Sequence, residues 1–183
     1  MTKDRPALFR AVVETTAGRF EIEVYRDWSP HGADRFHDLA MCGYYEDSRF
    51  FHVVAGKWVQ FGIAGVPAIA QAWRAKTIPD DTLVQSNTAG FVAFANTGPD
   101  TRSTQVFINL GDNSAQNDRE AGFAPFGKVV TGMDVVQSIY AGYGETSGGG
   151  MRAGGQDPLF TGGNGYLDTN FPKLDRLIRL QVA

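Results

Sequence analysis

Few side chains of this 183-residue sequence are spaced for metal, covalent or phosphate chemistry. His31 and His37 are six residues apart, which puts them on different sides of a helix, and no cysteine or third histidine completes a ligand set beside them. The acidic pair Asp80-Asp81 follows a proline and is typical of a solvated turn. The Walker A, Gly-x-Ser-x-Gly, Cys-x-x-Cys and His-Glu-x-x-His motifs are absent. We therefore expect no metal and no cofactor.

Two glutamines are more informative than these acids and histidines. Gln60 and Gln105 both lie in apolar runs that have the composition of strands. A buried amide costs free energy unless it is hydrogen-bonded, so each glutamine needs a partner or an exposed face.

Strand patterns dominate the elements that must position these residues. In residues 19–25, for example, Phe20, Ile22 and Val24 alternate with charged residues, which predicts one arm of a hairpin. Eight segments are predicted as strands: 9–14, 19–25, 49–54, 59–63, 90–95, 105–110, 127–130 and 174–182.

Only two segments have helical spacing, residues 32–43 and 133–140, and each is followed or ended by a glycine. Because strands do not alternate regularly with helices, we predict a closed antiparallel barrel rather than a βαβ sheet. The glycine-rich stretch 142–165 is interpreted as a long surface loop.

Composition limits the classes of function. The length predicts one domain, residues 1–183, with its core at about 9–182. A net charge of −3 argues against nucleic-acid binding, which depends on clustered Lys and Arg. A single cysteine, Cys42, and no secretory or membrane-spanning segment predict a cytoplasmic protein, which we expect to be a monomer.

The ordered motifs along the chain resemble the cyclophilin family. The first motif runs Phe50-Phe-His-Val-Val-Ala-Gly-Lys-Trp-Val-Gln-Phe-Gly62, and the second, from Gly90 to Asn109, contains Ala95-Asn96 and Gln105-Val-Phe107. The similarity continues through Gly122-Phe-Ala-Pro-Phe-Gly127 and extends over nearly the whole chain. It implies an eight-stranded antiparallel barrel capped by two α-helices, with a groove on its outer face that binds X-Pro peptides.

The resemblance also implies a reaction and its partners. Cyclophilins catalyse peptidyl-prolyl cis-trans isomerisation in protein folding, which needs no cofactor. We expect the partners to be X-Pro peptides or unfolded proteins, and cyclosporin-like cyclic peptides are a further expectation from the family.

By the same resemblance, Phe107 forms the floor of a proline pocket, Trp58 and Phe94 form its walls, and Ala95 lines the groove. Gln60, Asn96 and Gln105 are expected to hydrogen-bond the substrate backbone. The strand pattern alone leaves open that the three aromatic residues belong to the barrel core.

Four positions depart from the family pattern. Lys57, Asn117 and Phe123 stand where cyclophilins commonly have an aromatic residue, a leucine and a histidine, which predicts a groove of altered polarity. His52 stands where the family has the arginine that donates to the prolyl nitrogen. Histidine is shorter, and with a reference pKa of about 6.5 it is mostly neutral at pH 7.

The histidine predicts an isomerase of reduced or pH-dependent activity. A non-catalytic module that binds proline-containing peptides is the alternative prediction. A barrel that binds a small apolar ligand inside is a third hypothesis, although abundant large side chains favour a filled interior.

Overall fold

A computed structural model describes residues 4–119, 123–148 and 155–183. All eight predicted strands are present, and the predicted helices at 32–43 and 133–140 correspond to α1 and α4. The elements in chain order are β1 Leu8–Thr15, β2 Gly18–Tyr25, α1 Pro30–Met41, β3 His52–Val54, β4 Trp58–Phe61, α2 Pro67–Arg74, β5 Phe91–Phe94, β6 Val106–Asn109, α3 Ser114–Asn117, β7 Gly127–Thr131, α4 Met133–Ser138, α5 Asp157–Asn170 and β8 Leu177–Val182.

The strands form one curled antiparallel sheet in the order β3-β4-β6-β5-β7-β2-β1-β8. The predicted closure is wrong, because β3 and β8 are the two ends of this order and form no ladder with each other. Their approach is limited to an isolated bridge between Arg49 and Arg176 and to a few backbone hydrogen bonds beside it. Those hydrogen bonds join residues 47–50 to residues 175–177, before β3 begins, so the ladder of β3 ends without meeting β8.

The prediction of two helices and a loop at 142–165 also needs correction. Helices α2, α3 and α5 were not predicted, and α5 occupies the last part of that glycine-rich stretch. Gly163 interrupts α5 with a φ of 57°, and a Cβ there would lie 2.2 Å from the carbonyl oxygen of Gly65. The glycine thus serves close packing of α5 against the segment before α2. Residues 149–154 of the predicted loop lie outside the described residues.

Aromatic rings fill the interior between the sheet and α1. Phe126 packs against Phe36 and Phe94, with ring centroids 4.9 and 5.2 Å apart, and all three side chains are fully buried. This packing argues against the hypothesis of an internal apolar ligand, because the rings occupy the interior that such a ligand would need.

The loop that carries Asp81 is tied to the start of α1. The Asp81 carboxylate accepts hydrogen bonds from Ser29 Oγ at 2.6 Å and from the backbone N–H of Gly32 at 3.1 Å. The buried Arg102 donates to the same carboxylate at 2.9 Å. Burial alone would raise the pKa of Asp81, but these hydrogen bonds outweigh it and lower the pKa. Asp81 is therefore a buried cap of α1 rather than a solvated turn residue.

Candidate active site

One row of side chains crosses four neighbouring strands on the face opposite the main core. In the strand register His52 is paired with Gln60, Gln60 with Phe107, and Phe107 with Ala93. Because successive side chains of a strand point to opposite faces, the register places this row on a single surface. The sheet thus brings together residues that are far apart in sequence.

A second apolar cluster, separate from the main core, covers this surface. It consists of Trp58, Ala93, Ala95, Phe107 and Phe123, and is called the outer cluster below. Phe107 and Phe123 meet edge to face with centroids 5.6 Å apart. The outer cluster includes four of the residues that the sequence predicted for the groove.

Phe94 is the exception among the predicted pocket residues. It is fully buried in the main core and packs on Phe126. Its neighbours Ala93 and Ala95 belong to the outer cluster, so Phe94 must point to the other face of β5. The structure therefore places Phe94 with the core aromatics and not in a wall of the pocket.

Three glutamines form a continuous hydrogen-bonded chain, called the amide chain below. Gln60 Nε2 donates to Gln105 Oε1 at 2.9 Å. Gln105 and Gln156 exchange two hydrogen bonds, of 2.9 and 3.0 Å. The requirement that each buried amide find a partner is thus met by other amides.

His52 stands at one end of the amide chain. Its Nδ1 lies 2.8 Å from Gln60 Oε1, and because a carbonyl oxygen only accepts, Nδ1 carries the proton of this hydrogen bond. The imidazole is 0% exposed, and its Nε2 has no hydrogen-bond partner among the described residues. The carboxylate of Glu145 approaches this nitrogen, with Oε1 at 3.9 Å from Nε2.

The surroundings of His52 favour its neutral form. Burial lowers the pKa of the imidazole, and the hydrogen bond to Gln60 and the charge of Glu145 only partly oppose this effect. A neutral ring with its proton on Nδ1 presents an unprotonated nitrogen at Nε2. While Nδ1 keeps its proton for the hydrogen bond to Gln60, an N–H at Nε2 requires the imidazolium.

The two predicted asparagines occupy different settings. Asn96, which is nearly buried, accepts a hydrogen bond from the Gly98 backbone at 3.1 Å and so shapes the turn that follows β5. Asn117 ends α3 and is fully buried, and neither of its side-chain polar atoms has a hydrogen-bond partner in the described part of the chain. A buried polar group without a partner costs about 1–3 kcal/mol, so the Asn117 amide is a destabilising feature at the end of α3.

Three features of the site escaped sequence reasoning. Asn87 donates to the Asp118 carboxylate and to the Phe123 carbonyl, both at 2.9 Å, and so fixes the segment that presents Phe123. Gln156 completes the amide chain from outside the motifs. Glu145 approaches His52 from the glycine-rich stretch. For Asn87 the sequence offers one signal, a polar residue in a loop, and for Gln156 and Glu145 it offers none.

A cavity of about 220 Å³ adjoins the amide chain. It is lined on one side by Ala95, Asn96 and Gln105, and on the other by Gln156 and Phe160. The two sides come from the sheet and from α5, so the helix forms one border of this surface.

The described residues also bear on metal binding and membrane insertion. No group of three His, Cys, Asp or Glu residues is clustered there as a metal site. No helix in the described ranges is long and apolar enough to span a membrane.

Comparison with known proteins shows which proteins this chain resembles. Residues 10–153 match the family model described as cyclophilin type peptidyl-prolyl cis-trans isomerase/CLD. A peptidyl-prolyl cis-trans isomerase of Acinetobacter baylyi is 35% identical over 138 residues, which cover 73% of each chain. Peptidyl-prolyl cis-trans isomerase A of Dickeya dadantii is 32% identical over 133 residues, covering 70% of this chain and 69% of the relative.

Solved structures show the same fold. A Cryptosporidium parvum cyclophilin superimposes with a TM-score of 0.67 at 15% identity, covering 96% of this chain and 98% of the other. The same protein in the presence of the dipeptide Ala-Pro gives a TM-score of 0.65, again at 15% identity, covering 95% and 98% of the two chains. Helix α5 lies beyond residue 153, where the family match ends.

Proposed function

This chain belongs to the cyclophilin-type peptidyl-prolyl cis-trans isomerase family, and we propose that its activity depends on the protonated form of His52. The observation that carries the proposal is the hydrogen bond from His52 Nδ1 to Gln60, which leaves Nε2 as the only ring nitrogen that can serve a substrate. The predicted activity is therefore lower than that of an arginine enzyme and dependent on pH.

The reaction requires a twisted X-Pro bond. Rotation is slow because the nitrogen lone pair is delocalised into the carbonyl, which gives a barrier of about 18–20 kcal/mol. A site that donates a hydrogen bond to the prolyl nitrogen favours the twisted state, in which that lone pair is localised. The step makes and breaks no covalent bond.

The outer cluster suits the proline ring. We assign Phe107 as its floor, with Trp58, Ala95 and Phe123 around it, because these apolar side chains form one cluster on the site face. Asn117 is assigned to the edge of the pocket on the strength of the family resemblance. An apolar ring loses contact with water when it binds such a cluster, which favours binding.

The amides suit the peptide backbone. A primary amide has two N–H donors and two acceptor lone pairs, and the amide chain uses only part of this capacity. We assign Gln60, Gln105 and Asn96 to hydrogen bonds with the substrate chain. The hydrogen bond between Gln60 and Gln105 holds these two side chains in place before the peptide arrives, and the Gly98 backbone does the same for Asn96, which lowers the entropy cost of binding.

His52 is assigned as the donor to the prolyl nitrogen through Nε2–H. Because burial lowers its pKa below the ordinary value, only a minority of molecules carry this proton at neutral pH. The Glu145 carboxylate is largely exposed, and its charge, 3.9 Å from His52 Nε2, favours the protonated form of the imidazole. Catalysis is thus expected to strengthen as the pH falls.

The test compares wild type with His52→Arg in an NMR exchange measurement on an Ala-Pro peptide between pH 5 and 8. The arginine keeps a permanent charge, and loss of one preorganised donor elsewhere costs about 2.7–4 kcal/mol, so we expect His52→Arg to be about 100- to 1,000-fold faster. Acceleration by wild type that increases as the pH falls supports the proposal. No acceleration by wild type between pH 5 and 8 overturns it.

A binding module without catalysis is the second candidate, favoured by the complete burial of His52. It predicts that titration with a Pro peptide shifts the NMR signals of the outer cluster while the exchange rate stays at that of buffer.

The same titration with cyclosporin tests the expectation that cyclic peptides occupy this pocket, since competition with the Pro peptide would show a shared site.

We further propose a cytoplasmic monomer that acts on unfolded proteins with X-Pro bonds. Its one cysteine, Cys42, is an exposed free thiol, which fits a reducing compartment. Sedimentation equilibrium tests the oligomeric state, and a mass twice that of the chain would contradict the monomer.

A further inference from the structure

Helix α5 is fastened to the rest of the protein at both ends. At its start Asp157 pairs with Arg74 at 2.8 Å, and the Arg74 guanidinium lies 4.0 Å from the centre of the Phe160 ring. Near its end Asp168 receives two hydrogen bonds of 3.0 Å from Arg49. These contacts hold the residue that precedes α5 at a fixed place beside the sheet.

That residue is Gln156, which is 4% exposed. It occupies the N-cap position of α5, yet its side chain makes no capping hydrogen bond to the helix. Its amide is instead paired with the amide of Gln105, by hydrogen bonds of 2.9 and 3.0 Å in both directions. The side chain therefore serves the sheet rather than its own helix.

The partner of this pair is a residue assigned to the substrate. Gln105 lies just before β6 and has three side-chain torsions, so without other contacts it could turn its amide in several directions. Gln60 and Gln156 hold the Gln105 amide in one orientation. The N–H of Gln105 that the amide chain does not use then points in one fixed direction. Preorganisation of this kind increases the contribution of a binding group.

We propose that Gln156 is a positioning residue of the isomerase site, which holds Gln105 in the orientation that binds the peptide backbone. The inference rests on the proposed function, because it assumes that Gln105 contacts the peptide. Gln156 lies beyond residue 153, outside the matched family region, so α5 supplies this chain with a support that the matched motifs do not contain.

A double-mutant cycle in the full chain tests the proposal. Gln156→Leu keeps the size of the side chain and removes its hydrogen bonds, and we expect kcat/KM for an Ala-Pro peptide to fall about three- to tenfold, as for loss of one neutral hydrogen bond. In the Gln105→Ala background the same substitution should have no further effect, because the residue through which it acts is gone.

Gln71→Leu is the matched control. Gln71 also ties α5, by donating to the Phe160 carbonyl at 3.1 Å, but it is outside the amide chain. We expect it to leave kcat/KM unchanged. In an NMR spectrum, Gln156→Leu but not Gln71→Leu should shift the side-chain NH2 signals of Gln105. Titration of each variant with the Ala-Pro peptide gives the peptide affinity, which is a second measurement independent of rate.

The outcomes separate the two proposals. An equal loss in the wild-type and Gln105→Ala backgrounds overturns the positioning role, because it shows that Gln156 acts by another route. An unchanged kcat/KM and peptide affinity in Gln156→Leu, with an active wild type, also overturns it. If wild type neither binds nor isomerises the peptide, the proposed function fails first, and the positioning role fails with it.

Discussion

Both faces of strands β4, β5 and β6 are largely buried, but they differ in chemistry. The inner face has only apolar side chains, and the outer face combines an apolar cluster with the amide chain and His52. The inner residues are Val59, Phe61, Val92, Phe94, Val106 and Ile108, and the outer ones include Trp58, Gln60, Ala93 and Phe107.

Burial alone therefore does not distinguish the core from the site in this fold. Apolar packing on the inner face stabilises the sheet without any need for exact polar partners. The outer face keeps buried amides and an imidazole, each of which requires a partner at a specific distance. Changes on the two faces should therefore appear in different measurements.

The largest expected effect is on the inner face. Phe94→Ala should lower the free energy of unfolding by about 3–5 kcal/mol, because it leaves a cavity among packed rings. Chemical denaturation measures this loss. The folded fraction should bind the Pro peptide with unchanged affinity, and a loss of affinity with little loss of stability would return Phe94 to the pocket.

On the outer face, Gln60→Leu should lower both the stability and the catalytic rate. It removes the partner of His52 Nδ1 and a donor to Gln105, so we expect a loss of about 1–3 kcal/mol in the free energy of unfolding from the unsatisfied groups. The exchange assay should show a fall in kcat/KM as well, which Phe94→Ala should not show per folded molecule. Unchanged kinetics would argue against the amide chain.

The pH dependence of stability gives a smaller effect. Because burial lowers the pKa of His52 in the folded state, the unfolded chain binds a proton more readily. The stability from this group is therefore complete above the unfolded pKa of about 6.5 and declines below it, with a slope of at most about 1.4 kcal/mol per pH unit. Denaturation of wild type and His52→Gln between pH 5 and 8 should show the slope difference, and parallel curves would contradict it.

The smallest effect is expected from Glu145→Gln. The Glu145 charge raises the pKa of His52, so its removal should move the rise in activity to lower pH. Exposed ion pairs contribute about 0–1 kcal/mol, so the change in rate at fixed pH should stay below about fivefold. Glu46→Gln, at an exposed glutamate with no ion pair described here, is the matched control and should leave the pH profile in place.

Much of this arrangement was predictable from short-range patterns. Alternation located the strands, and the ordered motifs identified the family and brought His52, Gln60 and Phe107 into one site. The error at Phe94 is instructive, because an aromatic residue between Ala93 and Ala95 has to point to the opposite face from them. The alternation of side chains along β5 is therefore sufficient to place Phe94 in the core when Ala93 and Ala95 face the groove.

Other parts depended on contacts between distant segments. Gln156 meets Gln105 across 51 residues of chain, and Asp81 reaches the start of α1 across about the same separation. Helix α5 contains adjacent glycines that weaken a helical pattern, and it is held by ion pairs with Arg49 and Arg74. Tertiary contacts of this kind leave no periodic trace in the sequence.

The most direct test of the central claim is the pH profile of kcat/KM for an Ala-Pro peptide between pH 5 and 8, for wild type and His52→Arg, with circular dichroism confirming the folded state. The imidazolium donor predicts a wild-type rate that rises as the pH falls, against a flat profile for His52→Arg. A wild-type profile as flat as that of His52→Arg would contradict it, because the donor would then carry its proton at every pH tested.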